Sequence, residues 1–211
     1  MITTALLTLM LAADPASPVE TRVTGGVMAP ASLPAGTNAL YGFVGAPEVG
    51  VGYRQGFGLV ELEARGLFNL FEVSVIAEVG LKFGVYHHDK LRLAPGVSLG
   101  LELNSGARYI DPFNFGFVGL RPRLALNASY DFTETISGVA QLELPVSIAM
   151  TVAGLQVTPL VGAGAEFHLG GSLSLLVSAH LGFDATKGPV DFDPHYRVAW
   201  AGRLGIGYRL F

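Results

Sequence analysis

Apolar and polar side chains alternate with a period of two along most of this chain, and that periodicity restricts its possible folds more than any other feature. In 71–85 (FEVSVIAEVGLKFGV) Phe71, Val73, Val75, Ala77, Val79, Leu81, Phe83 and Val85 are all apolar. Between them stand Glu72, Ser74, Ile76, Glu78, Gly80, Lys82 and Gly84, charged or small apart from Ile76. The stretch 91–103 repeats the rule, with Leu91, Leu93, Pro95, Val97, Leu99, Leu101 and Leu103 set against Arg92, Ala94, Gly96, Ser98, Gly100 and Glu102. A helix would place Glu72 and Glu78 inside an apolar stripe, whereas a strand sends successive side chains to opposite faces and separates the two sets. The uncharged run 144–165 contains Pro145 and Pro159 and also alternates, which argues against a spanning helix.

Extending this reading gives ten strands, at about 22–30, 39–54, 58–68, 71–85, 91–103, 113–130, 134–150, 153–168, 172–184 and 195–210. Most exceed the ~9–11 residues that a tilted strand needs to cross a bilayer, while soluble strands average about 5–6. The expected fold is all-β: a closed antiparallel up-and-down transmembrane barrel of ten strands, with eight as the alternative. The longer connections, 31–38, 104–112 and 185–194, fall on one side. Short turns near Gln55-Gly56, Asp131-Phe132 and Gly170-Gly171 fall on the other. Barrels of this type keep short turns periplasmic and longer loops external, so both termini are expected in the periplasm.

The first residues carry a short apolar run at 2–13 that Asp14-Pro15 ends. Its length suits the core of a signal peptide and is too short for a membrane-spanning helix. The expected organisation is a signal peptide over 1–13, a periplasmic lead-in over 14–21 and the barrel over 22–211.

Alternation alone does not distinguish a membrane barrel from a soluble one with an apolar interior, and composition is needed here. Charged residues are 14% of the chain, against roughly 25% in an average protein. The only lysines are Lys82, Lys90 and Lys187. Glycine contributes 28 of 211 residues, many of them on the polar face. Small residues suit positions where side chains from many strands converge in a narrow lumen, not a water-facing sheet surface. Aromatic residues gather near strand ends, as in the girdles at the two bilayer interfaces. A net charge of −4 argues against binding nucleic acid through phosphates, and the lack of cysteine excludes disulfides and thiol chemistry.

The chain closes on GIGYRLF, with a terminal phenylalanine. In this it resembles the small outer-membrane β-barrels of Gram-negative bacteria, whose last strand typically ends in an aromatic read by the assembly machinery. Here Phe211 lies one position out of phase with Leu204, Ile206, Tyr208 and Leu210. The resemblance implies outer-membrane residence, with outer-membrane lipids, lipopolysaccharide and the assembly machinery as partners and small solutes as possible passengers.

The inward face carries nearly balanced charge, and charges in lipid must point inward and be paired or hydrated. An ion-pair layer near mid-height is expected from Glu48, Glu63, Arg65, Glu78, Arg121, Arg123, Glu143 and Arg203. A hairpin turning about Phe132 would set Arg121 opposite Glu143 and Arg123 opposite Gln141. Such a layer either fills the barrel or forms the constriction of a narrow pore. Glu166, His168, Ser178 and His180 are candidates for a lipid-modifying barrel enzyme, since serine, histidine and acid residues together can generate a nucleophile. A soluble exported barrel binding an apolar ligand is the other alternative. Asp184, Asp191, Asp193 and His195 crowd the last external loop without the spacing of a calcium loop. No metal, cofactor or catalysis is expected.

Overall fold

The computed structural model describes residues 28, 31–170, 172–189 and 193–210. The expected signal peptide, the lead-in, the strand at 22–30 except Met28, and Phe211 lie outside the described residues. The elements are β1 (Asn38–Ala46), β2 (Glu48–Gly56), β3 (Val60–Asn69), β4 (Ser74–Phe83), β5 (Tyr86–His88) and β6 (Leu91–Ser105). They continue with β7 (Gly116–Asp131), β8 (Ile136–Ala149), β9 (Gly154–Val157), β10 (Leu160–His168), β11 (Leu173–Lys187) and β12 (His195–Arg209). The described residues contain no helix.

Neighbouring strands pair antiparallel from β1 round to β12, and β12 pairs with β1 from Ala39↔Arg209 to Ala46↔Gly202, which closes the sheet. Two of the twelve elements are continuations rather than wall positions. β9 and β10 keep one register against β8, with Val146↔Val157 followed by Glu143↔Leu160. They are a single strand interrupted at Pro159, which has no N–H for the ladder. β5 continues β4 with a one-residue slip against β6, from Lys82↔Gly96 to Tyr86↔Leu93, the signature of a bulge. The wall is therefore a closed ten-strand barrel, an all-β architecture of the small outer-membrane type.

The expected strand at 39–54 is two strands, β1 and β2, reversing at Ala46-Pro47. Inward positions are Ala39, Tyr41 and Phe43 before the turn but Glu48, Gly52 and Arg54 after it, so the phase changes there. The segment before β1 is consequently at the rim that holds both strand termini, not across the barrel as expected for 31–38. Gly36 N–H donates to the Gly56 carbonyl at 2.9 Å, and Gly56 N–H donates to the Thr37 carbonyl at 2.9 Å. This terminal rim also holds the turns at 57–59 and 132–135 and residues 169, 170 and 172. The far rim holds the connection at 106–115 and the described residues 188–189 and 193–194. The strand expected from residue 71 begins at Ser74, because 70–73 forms the β3–β4 turn with Val73 at φ 51°.

The barrel is polar inside and apolar outside. Val44, Val51, Val79, Leu99, Leu124, Leu181 and Leu204 are exposed on the outer face. Glu61, Glu102, Glu166 and Arg54 are almost fully buried inside. Exposed aromatics mark both rims: Phe57, Tyr130, Phe132, Phe167 and Tyr208 at the terminal rim, and Phe183, Tyr196 and Trp200 toward the far rim. This distribution removes the soluble alternative, which requires an apolar interior and a wettable surface. Inward glycines make room for rings on the facing strand. Gly162 pairs with His180, and a Cβ there would fall 2.1 Å from the imidazole. Gly52 lies under Tyr41 in the same way, at 2.3 Å.

Candidate functional site

The lumen is the candidate site, and its charged side chains form clusters at different depths. The largest lies toward the terminal rim. Arg54 makes a two-pronged contact with Glu61, 2.7 Å in each arm, with both side chains buried. Lys82 bridges Glu61 at 3.2 Å and Glu63 at 3.3 Å. Tyr41 donates its hydroxyl proton to Glu63 at 2.6 Å. Arg123 joins this group to the next, reaching Glu78 at 2.8 Å, Glu143 at 2.9 Å and Glu63 at 3.8 Å. Arg65 completes the network on Glu78 at 3.0 Å. Planar guanidinium groups suit this role because they bind several carboxylates in fixed geometry.

Of the eight residues expected in the layer, Glu63, Arg65, Glu78, Arg123 and Glu143 belong to this network. Glu48 and Arg203 form a separate pair at 2.8 Å, with the guanidinium 5.1 Å from the Phe43 ring centre. Arg121 stands apart, 3.7 Å from Glu102, too far for a hydrogen bond. The expected pairing across the β7–β8 hairpin is corrected. The observed register sets Arg123 opposite Pro145, Ala125 opposite Glu143 and Asn127 opposite Gln141. The turn at 132–135 is longer than a turn centred on Phe132 allows, so the ladder shifts, and Arg123 reaches Glu143 diagonally.

Arg54, Glu61, Lys82 and Tyr41 complete the network although sequence reasoning did not place them in the layer. The alternation put the three charges inside, but depth along a tilted strand is not written in that pattern.

Two smaller clusters occupy the rims. At the terminal rim Arg92 pairs with Asp131 at 2.8 Å, and Ser137 donates to Asp131 at 2.7 Å. At the far rim Arg197 holds Glu72, Asp111 and Asp184, the last at 2.8 Å. Gln156 and Thr158 donate to the same Asp184 at 2.9 and 3.0 Å. Asp184 is therefore a buried lumen residue of β11, not part of the external loop, and His195 stacks on Phe113 at 3.7 Å. Asp191 lies outside the described residues, and among those described no acidic or histidine cluster could hold a metal ion.

Described residues ahead of β1 reach into the terminal end of the lumen. The Met28 N–H donates to Glu166 at 2.9 and 3.1 Å, and Arg54 donates to the Met28 carbonyl at 3.3 Å. Further along, Ala31 N–H donates to Ser129 at 3.1 Å and Leu33 N–H to Glu61 at 2.6 Å. Leu33 is buried against Ala39. This strap leaves a cavity of about 70 Å³ between Met28 and Arg203. Beyond Arg203, toward the far rim, a larger cavity of about 270 Å³ is bordered by Glu48, Arg121, Gln156 and Asp184.

The enzyme candidates all face the lumen, but they do not form a catalytic relay. His180 shares a hydrogen bond with Gln141 at 3.0 Å, and His168 shares one with Ser137 at 3.0 Å. Glu166 accepts from Met28, and Ser178, opposite Gly164, is hydrogen-bonded to neither histidine. An activated serine needs its base within hydrogen-bond reach and an acid to orient that base.

The chain matches no protein-family model and no curated protein sequence. Its fold is similar to solved structures of barrels. One is described as a KdgM porin, with 12% identity and a TM-score of 0.46 over 82% of this chain and 98% of that one. A bacterial polysaccharide outer-membrane secretin gives 14% identity and a TM-score of 0.45 over 80% of this chain and 58% of that one. A de novo designed transmembrane β-barrel gives 13% identity and 0.36 over 85% and 99%. At that level of likeness nothing about solutes or partners passes from them to this chain.

Proposed function

We propose that the chain is a non-enzymatic outer-membrane barrel, with both termini in the periplasm, that gives water and small ions a narrow passage. Its resting state is closed at the periplasmic end. One observation carries this reading: among the described residues the lumen holds cavities of about 270 and 70 Å³, and Arg203 borders both. The Arg123 network and the strap occupy the periplasmic half, and the charged lining suits ions better than apolar solutes. The apolar exterior with aromatic rims supports membrane residence, because a closed barrel satisfies every strand edge within lipid. Ser178 has no histidine partner, and the Ser137–His168 pair has no acid on the other imidazole nitrogen, His168 Nδ1 being buried without a hydrogen-bond partner, which supports a role without catalysis.

Planar-bilayer recording of the refolded chain, paired with liposome swelling, tests the proposal. Small discrete conductance steps are expected, without swelling by a monosaccharide. Rapid swelling by that sugar would contradict a narrow passage, and the absence of conductance would leave a structural barrel only.

A further inference from the structure

The wall of the barrel is incomplete on one side of its far half. β1 reaches only Ala46, opposite Gly202, whereas β12 continues upward through 195–201. Along that stretch β11 pairs with one edge of β12, up to Thr186↔His195, and among the described residues no strand pairs with the other edge. The stretch nevertheless belongs to the apolar outer surface. Val198 and Trp200 are exposed there and lie opposite Phe183 and Leu181, which are exposed on the same face. An open strand edge at membrane depth is tolerated where it lines a cavity, and this one does. The 270 Å³ cavity is bordered by 198–201 on one side and by Pro47, Glu48, Asn69 and Phe71 on the other. Phe71 and Trp200 meet edge to face across the gap, with ring centres 6.0 Å apart.

The inner side of the same cavity has spare donors. Arg121 and Arg203 both border it, and the Nε–H of each is buried without a hydrogen-bond partner. Arg121 meets a carboxylate only at 3.7 Å, and Arg203 meets Glu48 through one nitrogen. A guanidinium with free N–H groups is matched by the two oxygens of a carboxylate.

From these two features we infer a binding site for an anionic single-chain amphiphile, a long-chain carboxylate, reached sideways from the outer leaflet. The chain lies on the outer face along Phe71 and Trp200, whose ring contact must part to admit the headgroup, and the carboxylate is held inside by Arg121 and Arg203. The site rests on the membrane reading given above.

Trp200 is the only tryptophan in the sequence, so its fluorescence reports on the gap alone. The full chain in phosphatidylcholine vesicles is titrated with brominated hexadecanoate and, separately, with the brominated alcohol of the same chain length. The carboxylate is expected to quench Trp200 saturably at about tenfold lower concentration than the alcohol, the scale of one charge-assisted contact. Arg121→Gln alone, which leaves the Glu48–Arg203 pair intact, should remove most of that preference. Equal quenching by acid and alcohol, unchanged in R121Q, would overturn the site while leaving Trp200 in lipid. Dimerisation that shields Trp200 from both probes would overturn it in favour of a second copy covering the open edge. Failure of brominated phosphatidylcholine itself to quench Trp200 would contradict the membrane reading.

Discussion

The two halves of the lumen use the same residue types in different ways. In the terminal half, Arg54, Lys82, Arg123 and Arg65 each contact one or more carboxylates at 3.3 Å or less, and the strap adds backbone donors to Glu61 and Glu166. In the far half, Arg197 binds three carboxylates but is 31% exposed, and Arg121 and Arg203 retain unmet donors beside a cavity. One half is a packed polar core, and the other is a vestibule. A nearly neutral lumen charge therefore does not decide whether a barrel is filled. The stagger of the strands does, because it determines which charges share a level.

Substitutions at matched positions test this contrast. Arg123→Ala would leave Glu63, Glu78 and Glu143 without their shared partner in a buried site. It is expected to cost about 3–5 kcal/mol, read from the urea midpoint of the barrel in lipid vesicles. A cost below about 1 kcal/mol would show that water already reaches the terminal half. Gly162→Val, midway along the wall, would displace His180 from Gln141 and is expected to cost about 1–3 kcal/mol by the same measurement. Leu33→Pro would remove the strap's donor to Glu61, worth about 1–2 kcal/mol, and should raise open probability about tenfold in planar bilayers. No change in gating would make the strap a bystander. Arg197→Ala has the smallest expected effect, about 1 kcal/mol, because Arg197 is itself 31% exposed and Gln156 and Thr158 remain on Asp184 after its loss.

Much of this was legible in the sequence, and the failures have physical causes. Alternation assigned the face of almost every strand residue, since a one-residue error in phase would expose Glu61 or Glu78 to lipid. The β1–β2 turn was hidden because Ala46-Pro47 continues an apolar run, so hydropathy shows no break where the chain reverses. The β7–β8 register failed because the hairpin is centred on 134 rather than on Phe132, which shifts the pairing by four residues and keeps the same inward parity. Asp184 read as a loop residue because β11 continues past it to Lys187, paired with β12 up to His195 and with β9 up to Leu155. The strap and the open edge of β12 had no local signal, since both depend on which strands stand beside them.

On the proposed function the barrel is inside-out, closed in its terminal half and open to water in its far half. Since the chain lacks cysteine, single-cysteine labelling in vesicles tests it directly. A membrane-impermeant maleimide should label Thr158→Cys rapidly from the far side. Ser98→Cys, beside Arg123, should label slowly from both sides, and Leu99→Cys only with a lipid-soluble reagent. Rapid aqueous labelling of Leu99→Cys, or equal rates at Thr158→Cys and Ser98→Cys, would contradict the account.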